Sequence, residues 1–313
     1  MCTKKTTNGF LIPLATDLSP LDRAHPDTEA RIDRVAAAAL QADGYDPLNE
    51  QARFDLRDSR RTAWMVTTPT PQGDVADVGL LVTGNGELDL VIDPTHRRRG
   101  HGAAALAHAL QAEPAGQAPL TAWAHGDHPG ARALAARFGF RAERTLLQLR
   151  RNLSGEPAPE PSDAAASAAR PSGSIDVFRP GTDDAEWVAL NALVFAGHPE
   201  QGGISEADLA DRCGEDWFDA RDFLLARDEH GRLIGYNWLK VEGSLGEIYV
   251  IGVHPDAAGQ GLGRTLMEAG LARLRSRGCD TAALYVEAES TGPVHLYRSL
   301  GFTDFTVDVQ YRH

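Results

Sequence analysis

Apolar residues recur at helical spacing near the start of the chain. Ile32, Val35, Ala36, Ala39 and Leu40 form one stripe, the pattern of a helix with one buried face. Asp27 or Thr28 can cap its start, and Gly44 follows its end. The same pattern returns later, where Asp183 and Asp184 precede a stripe of Trp187, Leu190 and Val194 that stops near Gly197-His198-Pro199. Apolar runs of strand length follow at Phe223 to Ala226, Leu233 to Val241 and Glu247 to Val253. A glycine-rich turn then leads into a long predicted helix, Leu262 to about Ser276, with Leu266, Leu271 and Leu274 on its apolar face and Gly278 past its end. A strand over Ala282 to Val286, a short helix with Pro293 in its first turn and a last strand over Phe305 to Tyr311 complete the series.

The pattern breaks between Asn152 and Ser174, where proline, small residues and scattered charge cannot bury a core. This predicts an N-terminal domain over 1–151, a flexible linker over 152–174 and a C-terminal domain over 175–313. The two halves are related. Val91-Ile92-Asp93-Pro94 and the following Arg97 to Gly102 resemble Gly252-Val253-His254-Pro255 and the following Ala258 to Gly263. Trp123 to Phe140 then aligns with Tyr285 to Phe302 without a gap, and the offset between the copies changes by only one residue across the whole stretch. A register kept this closely indicates duplication, here a tandem rather than a solenoid.

Composition narrows the function. The chain has 313 residues, 42 % apolar and 24 % charged, ordinary values for a globular protein of two domains. Its net charge is −13, opposite in sign to that of a general nucleic-acid or anionic-membrane binder, so neither partner is expected. No apolar run approaches the length of a membrane span, and Phe10 to Leu14 is too short for a signal-peptide core. Cys2, Cys213 and Cys279 are odd in number and widely spaced, which indicates free thiols in a reducing cytoplasm and no zinc site. Apart from Lys4, Lys5 and Lys240, all 31 basic residues are arginine, as in proteins encoded by GC-rich genomes. Lys240 therefore stands alone beyond the amino terminus.

The segment Glu247 to Thr265 carries the chemistry. A strand runs into a turn containing Gly259, Gly261 and Gly263, then into a helix. Glycines allow close backbone approach, and the free N–H groups of a helix start attract an anion such as a diphosphate. No Gly-Lys-Ser/Thr follows, and Gly-x-Gly-x-x-Gly is not completed, so this is neither a nucleotide P-loop nor a dinucleotide fingerprint. Taken alone, a plain tight turn explains the glycines equally well.

The whole order is more specific. Strand, x-x-Gly-x-Gly turn, helix, strand, and a helix with Leu296-Tyr297 before Gly301-Phe302 resembles the GNAT acetyltransferase superfamily, in both halves. The resemblance implies an α/β fold of the α+β type: two tandem GNAT domains, each a mixed, mostly antiparallel twisted sheet flanked by helices. It also implies acetyl-CoA as co-substrate, with no metal. Two longer strings, Phe195 to Gly203 and Gly246 to Val253, resemble the mycothiol-forming branch of tandem GNAT enzymes. That branch acetylates the cysteinyl amine of cysteinyl-glucosaminyl-inositol, the last step of mycothiol biosynthesis, in actinobacteria. A tandem GNAT enzyme of another small amine, such as an aminoglycoside, and a non-catalytic acyl-CoA-binding sensor are the alternatives.

The resemblance assigns roles residue by residue. Glu247 becomes the general base and Tyr297 the general acid that protonates the departing thiolate. A strand glutamate in a surface ion pair and a core tyrosine are the ordinary readings of the same residues. Acetyl-CoA contacts fall on Ile251, Gly252 and Val253, with a bulge expected at Gly252; on Ala258, Gly259, Gln260, Gly261, Leu262, Gly263 and Arg264; and on Ser290 and His295. Ala258 departs from the Gln or Arg usual at its place. In the first copy the corresponding contacts are Leu90, Val91, Ile92, Arg98, Arg99, Gly100, His101, Gly102 and Ala103. Substrate contacts fall on Glu50, Glu200, Lys240, Glu247 and Tyr285. Ala135 stands where the second copy has Tyr297. Gly86 stands opposite Glu247, with Glu87 one residue out of step and therefore on the other face. The first copy is thus expected to keep the phosphate cradle but lack both catalytic groups, in a monomeric protein.

Overall fold

The computed structural model describes residues 15–112, 119–155, 173–197 and 201–313. The chain forms two compact units, Met1–Leu146 with Thr306–His313, and Leu147–Phe305. These differ from the division into 1–151 and 175–313 because two strands change sides. Strand β6 (Arg141–Asn152) passes into the C-terminal unit at Leu147, and the end of the last strand, β12 (Thr303–Arg312), belongs to the N-terminal unit. The expected linker lies mostly outside the described residues; Asn152 ends β6, and strand β7 (Gly173–Val177) already begins at Gly173.

In the N-terminal unit, β1 (Asp17–Pro20), β2 (Thr62–Pro69), β3 (Val75–Gly84) and β4 (Glu87–Ile92) form an antiparallel run. Strand β5 (Thr121–Ala124) joins β4 in parallel, and β12 joins β5 antiparallel. Helix α1 (Thr28–Asp43) ends as its sequence predicts, with Gly44 at φ +83° giving its N–H to Leu40 O. Its stripe of Ile32, Val35 and Ala39 packs on Leu80, Val82 and Val91. Helix α2 (Glu50–Arg57) follows. Helices α3 (His101–Ala112) and α4 (Pro129–Phe138) carry the other cluster, where Ala105, Leu106 and Ala109 meet Leu81 and Leu88. The alternation of Leu80, Leu81 and Val82 thus feeds two cores from one strand.

The C-terminal unit repeats this plan. Strands β7, β8 (Phe223–Asp228), β9 (Leu233–Glu242) and β10 (Leu245–Val253) run antiparallel, and β11 (Thr281–Glu287) pairs with β10 in parallel. Helices α5 (Asp184–Val194), α6 (Glu206–Cys213), α7 (Leu262–Ser276) and α8 (Thr291–Ser299) complete it. One core is aromatic: Trp187 of α5 meets Phe223, Tyr236 and Trp238 edge-on, and the Phe223 and Trp238 rings stack 4.4 Å apart. The other is aliphatic, with Met267, Leu271 and Leu274 of α7 against Ile248 and Leu284. Each large side chain fully buried in this way contributes about 1.5–3 kcal/mol. These two cores hold β10 rigidly between them, and β10 carries the candidate site.

Candidate active site

Strand β10 is anchored on both sides at its start. Glu247 stands directly opposite Lys240 of β9 and Ala283 of β11. The pairing then changes. The ladder to β11 ends at Ile248 and Leu284, although β10 runs on to Val253 and β11 to Glu287. On the other side, the register with β9 slips between Ile248 and Val250, so Tyr249 is an extra residue. Such a bulge bends the strand that carries it, and the two parallel strands part just after the glutamate. The β11-facing edge of Val250 to Val253 therefore has no strand partner among the described residues, which leaves main-chain donors and acceptors for a bound molecule.

The bulge expected at Gly252 is thus found three residues earlier. Gly252 is small for a different reason: a Cβ there would lie 2.6 Å from the Tyr236 ring. That ring is fixed, since the Tyr236 hydroxyl donates to Asn191 Oδ1 (2.7 Å) and the Asn191 amide donates to the Gln201 carbonyl (2.6 Å).

Past Val253 the chain makes one short turn at Pro255–Ala257 and swings into α7 through Gly259 (φ +75°) and Gly261 (φ +83°). Both take the left-handed conformation that glycine adopts without strain. Thr265 is the first residue of α7 to bond back, to Gly261 O (3.1 Å). The preceding N–H groups of Leu262, Gly263 and Arg264 form an anion cradle at the positive end of the helix. Ala258 is extended and adds no side-chain donor. Gln260 donates to the Asp256 carbonyl (3.0 Å), and Arg264 donates to Ser299 Oγ (2.6 Å).

Tyr297, on α8, is 7 % exposed and lies among Ile248, Leu284 and Leu300. Burial pushes its phenol up to about 12, so it keeps its proton across the working pH range. Ser290 precedes the first turn of α8, and His295 is exposed on that helix. Lys240 is 14 % exposed; its ammonium lies 3.4 Å from Glu242 and 5.1 Å from the centre of the Trp217 ring. The Tyr285 hydroxyl accepts from Gln148 Nε2 (2.6 Å). Glu50 opens α2 in the N-terminal unit, and Glu200 lies outside the described residues. Sequence reasoning missed Tyr249, Trp217 and Arg212. Arg212 holds the bulge residue by donating to the Tyr249 hydroxyl (3.1 Å).

The first copy keeps the same frame. Arg98 (φ +63°) and Gly100 (φ +96°) match Gly259 and Gly261 in conformation, so an arginine sits where the second copy has a glycine. One cavity of about 630 Å³ gathers Leu90, Val91, Ile92, Arg98, Gly100, His101, Gly102 and Ala103; Arg99 is not on its wall. Arg97 is occupied structurally, holding Asp43 with both terminal nitrogens (2.7 and 2.6 Å) and donating to Ile92 O (3.0 Å). Ala135 sits in α4, buried to the same 7 % as Tyr297, and Gly139 ends α4 as Gly301 follows α8.

The expected place of Glu87 requires correction. Glu87 pairs with Thr121 as Glu247 pairs with Ala283, and these partners match in the gapless alignment that sets Trp123 on Tyr285. Strand β4 has no bulge against β3, so the residue inserted at Tyr249 is what displaced the sequence alignment. Glu87, not Gly86, is the counterpart of Glu247. It is held differently: Arg61, almost fully buried, reaches Glu87 (3.3 Å) and Asp89 (2.6 Å). Burial pushes the Asp89 carboxyl up, against the pull of Arg61.

Residues 56–140 and 187–302 both match the acetyltransferase (GNAT) family; the chain belongs to this family and is an acetyltransferase built from two GNAT repeats. Over 95 % of its length it is 45 % identical to the mycothiol acetyltransferase of Clavibacter michiganensis, covering 96 % of that protein. The mycothiol acetyltransferase of Salinispora arenicola is also 45 % identical, over 96 % of this chain and 98 % of that one. At this identity along nearly the whole of both chains, it falls within the mycothiol acetyltransferases. Among solved structures, a tandem GNAT protein from the clavulanic acid biosynthesis pathway superposes with a TM-score of 0.70 at 19 % identity, covering 96 % of this chain and 98 % of that one. A GCN5-related N-acetyltransferase from Sphaerobacter thermophilus gives 0.68 at 22 %, covering 95 % of each chain. Both likenesses concern the fold.

Proposed function

We propose that the C-terminal unit transfers acetyl from acetyl-CoA to the cysteinyl amine of cysteinyl-glucosaminyl-inositol, completing mycothiol. The observation that carries this reading is the parting of β10 from β11 at the Tyr249 bulge, with Glu247 just before it and the α7 amides beyond it. Acetyl-CoA fits this frame. Its diphosphate has the first N–H groups of α7, its extended arm has the unpaired edge of β10, and its carbonyl oxygen has main-chain N–H groups to receive charge as the tetrahedral centre forms. The residues of that frame are Ile251 to Val253 and Ala258 to Arg264, with Ser290 and His295 at α8.

Glu247 acts as general base. An α-amino group has a pKa of about 8, so part of it is already neutral at pH 7 and a carboxylate suffices to take the remaining proton. Tyr297 acts as general acid toward the sulfur. Lys240 and Tyr285 flank Glu247 on β9 and β11 and contact the acceptor. Among the described residues no helix is long and apolar enough to cross a membrane; we place the enzyme in the cytoplasm, where its free thiols and its donor are stable. Mass spectrometry after incubation with acetyl-CoA and cysteinyl-glucosaminyl-inositol tests the reading. It expects one added acetyl on the cysteinyl nitrogen; no acetylated product, or acetylation only of another amine such as an aminoglycoside, overturns it.

A further inference from the structure

Strand β10 changes phase at its bulge. Ile248 packs on the aliphatic core and Tyr249 on the aromatic core, as strand alternation requires. Val250 then stays on the aromatic side, and Ile251 returns to the aliphatic one. Two consecutive side chains on one face are the mark of the inserted residue. Every main-chain group from Val250 to Val253 takes its direction from that step. Strand β4 of the first copy, with no inserted residue, has no such step against β3.

The side chain of Tyr249 is held from three directions. Its ring lies between those of Trp217 and Trp238, with centroids 5.1 and 5.2 Å away. From α6, Arg212 Nε donates to the Tyr249 hydroxyl (3.1 Å). Arg212 is braced in turn, since its Nη1 donates to the Asp208 carbonyl one turn back (3.0 Å). Helix α6 is firm ground for this contact. Ser205 and Asp208 form a reciprocal capping box at its start, and Leu209, 1 % exposed, is sunk in the aromatic core. Apolar packing is non-directional, whereas a hydrogen bond from a planar, charged guanidinium is directional and strong. The aromatic rings therefore fix where Tyr249 lies, and Arg212 fixes how far it reaches.

We propose that Arg212 is a positioning residue for the transfer step. Acting through the Tyr249 hydroxyl, it sets the angle at which β10 leaves β11. That angle aims the main-chain N–H groups that receive the thioester oxygen as it gains charge. The inference rests on the seat of acetyl-CoA proposed above. It adds no proton transfer: the amine still gives its proton to Glu247, and the sulfur still takes one from Tyr297. Donors to a developing oxyanion act only at hydrogen-bond distance from its final position, and a misplacement of about 1 Å can cost about 10²-fold in rate.

The test compares the full chain with Arg212→Met, Tyr249→Phe and the double variant. Each single variant should lower kcat for cysteinyl-glucosaminyl-inositol by about 10- to 10²-fold, with KM and calorimetric affinity for acetyl-CoA nearly unchanged. The double variant should fall no further than the lower single, because both changes cut one connection. Infrared spectra of bound, isotope-labelled acetyl-CoA read the donor side without any acceptor. The carbonyl band, lowered in the parent by the main-chain N–H groups, should move back toward its free position in each variant. The difference between parent and variant spectra isolates the C-terminal unit, since the N-terminal unit is the same in both. An unchanged kcat, a change confined to KM, losses that multiply in the double variant, or an unmoved carbonyl band overturns the proposal. Tyr249→Phe removes a single oxygen and decides the matter alone if Arg212→Met does not fold. A parent chain that binds acetyl-CoA with no displaced carbonyl band at all instead refutes β10 as the acetyl-CoA frame, and this inference with it.

Discussion

Glu247 and Glu87 show how one residue type in one register position is put to different uses. Opposite Glu87 the fold places a buried arginine shared with Asp89; opposite Glu247 it places Lys240, the single late lysine of the chain. Replacing Glu247 by Gln should lower kcat by about 10²–10⁴-fold, with part of the rate returning as pH rises past the amine pKa. An unchanged kcat at neutral pH would rule out the base role. Tyr297→Phe should slow turnover while acetyl-CoA affinity, read by titration calorimetry, stays near its original value; lost affinity with normal turnover would show that the ring only packs. Arg61→Ala removes the guanidinium that bonds buried Asp89 and should cost about 3–5 kcal/mol of stability, measurable as an earlier urea transition.

At the level of elements, much was legible because it is written locally. Helix α7 runs from Leu262 to Ser276 as its apolar spacing and flanking glycines indicate, and the cradle follows from the glycines before it. The Tyr249 bulge was not legible, because a bulge is a relation between paired strands and tyrosine carries no local mark of it. Missing it moved Glu87 one place along and turned it to the wrong face. Gly252 is not the bulge for a related reason: its small size answers to Tyr236 on the neighbouring strand rather than to β10 itself. Gly252→Ala should therefore force Tyr236 aside, costing about 1–3 kcal/mol and weakening acetyl-CoA binding. A thermal midpoint and an affinity both equal to the parent's would show that the ring yields freely.

At the scale of the whole chain, duplication was visible from the repeated motifs, but the exchange of terminal strands was not. Partnership between His125 and Asp308, or between β5 and β12, leaves no trace in local sequence. It makes a specific demand on the protein. Ending the chain after Phe305 removes the antiparallel neighbour of Thr121–Ala124 and the carboxylate of Asp308. Hydrogen exchange should then quicken in β5 while the α7 amides remain protected; equal protection of β5 in both chains would mean that the last strand adds nothing to the N-terminal unit.

That exchange also sets an order of assembly. The ribosome delivers Met1–Leu146 long before Thr306–His313, and at about 5–20 residues per second the delay is roughly 10–30 s. During that interval the first unit to be synthesised has an open sheet edge at β5, exposed to any other strand in reach. The C-terminal unit, holding Leu147–Phe305, has all its own strands as soon as its last residue emerges. The half made first is thus the half finished last, and a nascent chain halted between the two domains yields neither.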